Sequence, residues 1–99
     1  MYAIVFDLDQ DTLEKTYHVP SYQNAYGDIK KALEEYGFKR QQGSVYFGEV
    51  SKVDAVSCVL AVMDLAKNNK WFEPSVRDIR MLRIEENNDL MPAVKKAVK

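Results

Sequence analysis

Residues 2–8, YAIVFDL, decide the fold, because five apolar side chains in succession are followed by an aspartate. An unbroken apolar run of this length is typical of a strand that is buried on both faces and therefore central in its sheet. Side chains alternate along a strand. One face would carry Tyr2, Ile4, Phe6 and Leu8, and the other Ala3, Val5, Asp7 and Asp9. The sequence thus predicts a central strand that ends in two aspartates on one face.

The first half of the remaining chain predicts a helix and a hairpin. Residues 10–20 have no clear periodicity and are interpreted as a loop. Apolar side chains at helical spacing over residues 21–36 predict a helix that ends at Gly37. Residues 38–42 and 44–50 flank Gly43 and predict a hairpin, in which Gly43 takes a positive φ.

The second half predicts another helix, a strand and a short terminal helix. Ser51 and Asp54 have capping-box spacing ahead of an apolar stripe that runs to about residue 67. Residues 76–85 alternate as in a strand, and Asn88 or Asp89 would cap a last helix with Pro92 in its first turn. The order βαββαβ plus a helix predicts a single α+β domain over residues 1–99, a ferredoxin-like sandwich. Both main helices would cover one face of a four-stranded antiparallel sheet. The other face would be free to form a homodimer.

Composition limits the function classes. The chain has 99 residues and a formal net charge of −1, which argues against strong nonspecific binding to nucleic acid. The charge is uneven, with −4 over residues 1–66 and +3 over residues 67–99. A single cysteine, Cys58, excludes an internal disulfide, and with one histidine the chain lacks the ligands of an ordinary structural zinc site. The absence of a basic leader and of a long apolar run predicts a cytoplasmic protein with no membrane partner.

Asp7 and Asp9 are the most informative polar residues. Two carboxylates at the end of a buried strand need hydrogen bonds, water or a metal ion, although carboxylates also end strands for purely structural reasons. Ser44 follows the hairpin glycine, where its hydroxyl could contact a phosphate or simply cap the turn. Tyr46 and Phe47 project to opposite faces, so one can be core while the other stacks on a base.

A basic strip is predicted along the edges of the sheet, formed by Arg77, Arg80, Arg83, Lys39 and Arg40. These side chains suit phosphate oxygens, but charges on edge strands also prevent aggregation. His18 in the first loop is either a general acid or base or merely exposed. The Trp71-Phe72 pair either stacks on bases or packs beneath a helix end.

Several segments resemble the virulence-associated protein D (VapD) family over nearly the whole chain. The segments are YAIVFDL, GF at residues 37–38, QGSVY at residues 42–46, WF at residues 71–72, SVRDIR at residues 75–80 and RIE at residues 83–85. More remotely, a first-strand aspartate and the set Arg40, Gln42, Ser44, Val45 and Tyr46 resemble the small dimeric CRISPR-associated nucleases.

The resemblance implies an endoribonuclease on a ferredoxin-like dimer, with a toxin role in a toxin–antitoxin pair for some members. In the related nucleases the aspartate that matches Asp7 binds a divalent metal across the dimer axis. Asp9, Ser44 and the arginines of SVRDIR are secondary candidates. The first loop departs most from the family pattern, so the resemblance assigns no role to Lys15 or His18.

The sequence is therefore interpreted as a homodimer that cleaves single-stranded RNA. Asp7, Ser44 and Asp9 would be catalytic, with Asp7 a ligand of Mg²⁺ or Mn²⁺, and RNA would be bound by Arg77, Arg80, Arg40 and Tyr46. Cleavage without metal, by attack of the RNA 2′-hydroxyl on the adjacent phosphorus, stays open. The alternatives from other classes are a non-catalytic dimer that binds nucleic acid or an antitoxin protein, and a regulatory domain with an effector pocket.

Overall fold

The computed structural model describes residues 1–98 and confirms the ferredoxin-like arrangement. Its strands and helices follow the order β1 (Tyr2–Leu8), α1 (Gln10–Thr16), α2 (Asn24–Glu34), β2 (Phe38–Gln42), β3 (Val45–Gly48), α3 (Ala55–Asn68), α4 (Phe72–Ser75), β4 (Val76–Arg83) and α5 (Met91–Ala97). The strands form one sheet in the order β2-β3-β1-β4, and each neighbouring pair is antiparallel. β1 is central, as its continuous apolar run predicts.

The core lies between one face of the sheet and the helices. Ile4, Phe6 and Leu8 of β1 are buried there, as the alternation along the strand predicts. The helices cover them with buried apolar side chains, among them Leu13, Ile29, Leu33, Cys58, Ala61 and Leu65. Cys58 is thus a buried core residue, and burial raises the pKa of its thiol. The opposite face of the sheet is called the open face below.

The segment predicted as a loop contains a helix, so that part of the interpretation was wrong. Asp9 caps α1, and the Thr12 amide donates to its side chain at 3.2 Å. Leu13 and Tyr17 are both buried, and their four-residue spacing places them on one side of the chain. Two apolar positions are too few to show a helical period in the sequence.

Two local predictions also differ from the structure. The cap of α3 is Asp54, which accepts from the amide of Ser57 at 2.8 Å, and Ser51 takes no part in that capping box. Gly37 has φ 91°, as a helix-ending glycine should, whereas Gly43 is not in the left-handed region. A bulge at residue 41, between the pairs Arg40↔Tyr46 and Gln42↔Val45, lies next to the Gly43 turn. Bulges increase strand twist locally, so the hairpin closes without a positive φ at that glycine.

The C-terminal segment extends away from the domain. Residues 85–98 are exposed, and the radius of gyration is 15.3 Å, against about 13 Å for a compact domain of this length. Pro92 lies in the first turn of α5, as predicted, but the N-cap residue is Leu90 rather than Asn88 or Asp89, and Asp89 accepts from the Met91 amide. None of the helices formed by residues 1–98 is long and apolar enough to cross a lipid bilayer.

Candidate functional site

Asp7 lies at the C-terminal end of β1, on the open face, where its side chain is 66% exposed. Its partner on β4 is Asp78, so two carboxylates stand opposite one another across neighbouring strands. Like charges in directly opposed positions repel, and a fold tolerates such a pair only where solvent or a cation offsets it. Nothing in the sequence pattern indicated this pairing. The pairing makes Asp78 a further candidate for the site.

Asp9 is held from two directions. Its backbone amide donates to the carbonyl oxygen of Ser75 at 2.7 Å, while Oδ1 of its side chain caps α1. Ser75 is itself fully buried, and its hydroxyl lies 3.1 Å from that of Thr16, which ties α1 to the start of β4. The capping role agrees with the structural alternative for Asp9. Its Oδ2 atom takes no part in the cap and lies 3.8 Å from Nε of Arg77.

Two arginines neutralise these carboxylates in different ways. The register between β1 and β4 shifts between Asp7 and Leu8, so Arg77 is the extra residue of a β-bulge. Its guanidinium lies 4.0 Å from Oδ2 of Asp7 and 3.8 Å from Oδ2 of Asp9. Arg80 instead donates from Nε to both oxygens of Asp78, at 3.0 and 3.2 Å, and this interaction raises the pKa of Arg80. We name these five side chains, Asp7, Asp9, Arg77, Asp78 and Arg80, the aspartate–arginine cluster.

Ser44 lies beside this cluster. Its carbonyl oxygen accepts from the amide of Phe6 at 3.1 Å, which brings the β2–β3 turn next to the residue that precedes Asp7. Ser44 is half-buried, and its position follows from the short turn between Gln42 and Val45. The structure therefore brings Ser44, Asp7, Asp9, Arg77 and Arg80 together at one end of the sheet.

Two predicted RNA-binding residues lie elsewhere. Tyr46 is fully buried on the helix side of the sheet, opposite Ile4 and stacked on Phe6. Its ring cannot stack on a base, so the prediction for Tyr46 was wrong, and Phe47 is the neighbour on the open face. Arg40 lies on β2, opposite Tyr46 of β3, so it belongs to the helix side of the sheet rather than to the open face that carries Asp7. Its side chain is exposed. Within residues 1–98 the Tyr46 hydroxyl has no hydrogen-bond partner, and burial raises its pKa.

The remaining candidates are structural or outside the cluster. Trp71 and Phe72 are buried and pack edge to face, which confirms the interpretation that they support a helix end. His18 is exposed, with its ring 4.4 Å from that of Tyr17. Arg83 pairs with Glu85 at 3.6 Å, at the far end of β4. Of the arginines in the predicted basic strip, Arg77 and Arg80 pair with the aspartates of the cluster, whereas Arg83 does not.

The fold and the cluster define a small ferredoxin-like protein with an acidic and basic site on the open sheet face. Residues 1–91 match the model of the family described as CRISPR associated protein Cas2. The endoribonuclease VapD 2 of Riemerella anatipestifer is 51% identical over 94 residues, which are 95% of this chain and 99% of that protein. The endoribonuclease VapD homolog of Helicobacter pylori (strain ATCC 700392 / 26695) is 52% identical over 95 residues, 96% of this chain and 97% of that protein. The chain belongs to the Cas2 family and to the VapD family, which confirms the resemblance found in the sequence.

Proposed function

We propose that the chain is an endoribonuclease that cleaves single-stranded RNA at the aspartate–arginine cluster. The VapD relatives are named endoribonucleases and cover nearly the whole chain. The observation that carries the proposal is the placement of Asp7, an exposed carboxylate that lies 4.0 Å from the Arg77 guanidinium and opposite Asp78, the partner of Arg80. Guanidinium groups match phosphate oxygens, and a carboxylate beside them can hold a cation or orient a nucleophile.

The donor set of the cluster fits a hard divalent cation. Mg²⁺ prefers oxygen ligands and is usually bound by one or two carboxylates together with water and substrate phosphates. Among residues 1–98 no three His, Cys, Asp or Glu side chains are grouped as a metal site, so Asp7 would share the ion with RNA or with a second copy. Bound there, Mg²⁺ or Mn²⁺ would offset charge on the phosphate and make water a better nucleophile. Cleavage by the RNA 2′-hydroxyl is the metal-free version of the same proposal.

The chain's own residues would act on the phosphate directly. Arg77 and Arg80 would offset the charge of its oxygens, and the Ser44 hydroxyl would donate to one of them. Asp9 would act through its fixed position, since its capping role holds one side of the site rigid.

The proposed assembly is a homodimer that uses the open face. That face presents apolar side chains beside the cluster, including half-buried Val5 and Phe47 and 44%-exposed Leu82. A second copy would bury them, and a two-fold axis is the simplest closed arrangement. Light scattering at micromolar concentration should give a dimer mass, and Leu82→Asp should lower it toward the monomer. A monomeric wild-type protein would refute the assembly while leaving the cluster intact.

A cytoplasmic location and a protein antitoxin complete the proposal, since RNA substrates and a reduced cysteine suit that compartment. Controlled expression in bacteria tests the toxin role. Growth arrest that depends on Asp7 would support it, and normal growth with active enzyme would refute it.

The direct test of the activity is incubation of the purified protein with end-labelled single-stranded RNA, with and without EDTA. Internal cleavage is expected. Loss of cleavage in EDTA would support the metal-dependent version, and its persistence would support the metal-free one. RNA that is bound but stays intact under all conditions would favour the non-catalytic binding module instead.

A further inference from the structure

Arg77 occupies the place in the cluster where a cation would approach the carboxylates. Its guanidinium lies within 4.0 Å of Asp7 and 3.8 Å of Asp9, and so bridges two acidic side chains that come from different elements. Asp9 is the N-cap of α1, whereas Asp7 is the penultimate residue of β1. No other arginine of residues 1–98 forms an ion pair with either of these carboxylates.

The β-bulge explains this position. Regular alternation would pair consecutive residues of β4 with consecutive residues of β1, but Leu8 pairs with Val76 and Asp7 with Asp78. Arg77 is left without a partner across the strands, and bulges of this kind re-aim a side chain near functional sites. The bulge therefore directs Arg77 toward the two aspartates.

The bridging ion pairs are weak enough to exchange. Arg77 is 62% exposed and its separations from the carboxylates lie at the long end of ion-pair contacts, so solvent screens the attraction. Arg80, by contrast, makes two hydrogen bonds to Asp78 at 3.0 and 3.2 Å. An RNA phosphate offers a guanidinium a bidentate partner with better geometry than either bridging contact. Arg77 is thus the arginine of the cluster that can change partners most easily.

We propose that Arg77 is an electrostatic guard, which makes cation binding at Asp7 conditional on RNA. Without RNA, its positive charge lies beside Asp7 and Asp9 and opposes a divalent cation. When RNA binds, the guanidinium moves to a phosphate and the two carboxylates become available to the cation. The inference rests on the proposed function, because it takes Asp7 to be the cation ligand. It adds an order of binding, in which RNA binds first and the metal ion second.

Mn²⁺ binding measured by electron paramagnetic resonance tests the guard without relying on activity. The proteins are wild type, Arg77→Gln, and Arg83→Gln, a matched change on the same strand outside the cluster. Each is titrated at low salt, alone and with a single-stranded 2′-O-methyl RNA, which lacks the free 2′-hydroxyl. A charge about 5 Å from a divalent ion in water changes its binding about tenfold by Coulomb's law. We therefore expect Arg77→Gln alone to bind Mn²⁺ about tenfold more tightly than wild type, with Arg83→Gln unchanged.

The RNA arm gives the second readout. The oligonucleotide should raise the Mn²⁺ affinity of wild type about tenfold and that of Arg77→Gln much less, because the variant has no guard to remove. The difference between the proteins should shrink in 1 M salt, where the screening length is about 3 Å.

Three outcomes would overturn the guard. Equal Mn²⁺ affinities of wild type and Arg77→Gln without RNA would show that Arg77 does not oppose the cation. An equal gain with RNA in both proteins would show that any coupling does not pass through Arg77. No Mn²⁺ binding by any protein, with or without RNA, would remove both the guard and the metal-dependent mechanism. RNA cleavage in EDTA would then decide whether the metal-free endoribonuclease survives, so the two failures are distinguishable.

Discussion

Replacing Asp7 with asparagine separates a catalytic carboxylate from a structural one, because the two roles predict opposite effects on stability and activity. The change keeps the size of the side chain and removes its charge. Among the described residues, no hydrogen bond is made to the Asp7 side chain, and its ion pair is with the guanidinium of Arg77 at 4.0 Å. Few native interactions are therefore lost.

The expected stability change is small because two charge terms oppose one another. Directly opposed side chains on antiparallel strands have Cβ atoms about 5 Å apart, and two unit charges at that distance in water repel by ~0.8 kcal/mol. Asp7→Asn removes that repulsion from Asp78. It also removes the exposed pair with Arg77, and such pairs contribute between ~0 and 1 kcal/mol. The net change should lie between a gain of ~0.8 kcal/mol and a loss of ~0.2 kcal/mol, so Tm should rise by about 6 °C at most and fall by no more than about 2 °C.

The expected loss of activity is large. Residues that only support a metal ligand change activity by about 10- to 100-fold when they are mutated, so the ligand itself should matter at least as much. Asp7→Asn should reduce RNA turnover by about a hundredfold or more. Scanning calorimetry and cleavage of labelled RNA are measured on the same preparation, with Asp11→Asn, an exposed aspartate of α1, as the matched control. A folded Asp7→Asn protein that still cleaves RNA would refute the catalytic role, and a fall in Tm well beyond about 2 °C would refute the electrostatic reasoning.

Three further predictions follow from particular contacts. Gly37→Ala should lower the free energy of unfolding by about 1 kcal/mol or more because φ is 91° there, whereas Gly43→Ala should be neutral or slightly stabilising, as chemical denaturation will show. Burial, and then the nearby Asp28 carboxylate, raise the pKa of Tyr17 to about 12, so the neutral phenol is favoured in the fold. Wild-type stability should therefore fall as pH rises from about 10 to 12, and Tyr17→Phe should show a shallower fall, measured by urea unfolding at each pH. Arg77→Ala should weaken RNA binding most at low salt and reduce the slope of log affinity against log salt by about 0.7, while an unchanged slope would exclude a phosphate contact.

The sequence was most informative where one strong pattern decided the structure. The apolar run of β1 predicts that the strand is central, that Ile4, Phe6 and Leu8 face the helices, and that Asp7 lies on the other face. The structure agrees on all three points. A one-residue error of register would have exchanged those faces and placed the Asp7 carboxylate among the core side chains, where its burial is unfavourable. The same alternation was ambiguous in β3, because Tyr46 and Phe47 are adjacent aromatic residues. Only the pairing of Tyr46 with Ile4 shows which ring is in the core.

The composition of the site was partly predictable, but its geometry was not. Asp7, Ser44 and Arg77 were recognised from the end of an apolar strand, a glycine turn and a basic segment. The three residues lie close together because of the register between β1 and β4, which contains a β-bulge at Arg77. A bulge cannot be predicted from the alternation of apolar and polar residues. Regular alternation would have set Arg77 and Asp78 on opposite faces.

That irregularity connects the local sequence to the proposed chemistry. In SVRDIR, the buried Ser75 accepts from the amide of Asp9, and the next residues form the bulge that carries Arg77. Asp78 then returns to the regular register and faces Asp7 across the strands. One short segment therefore holds Asp9 in place, supplies the positive charge of Arg77 and adds the opposing carboxylate. Lengthening or removing the bulge would change all three relations at once, whereas a side-chain substitution changes one, which is why point variants of Arg77 and Asp7 are the informative probes of this site.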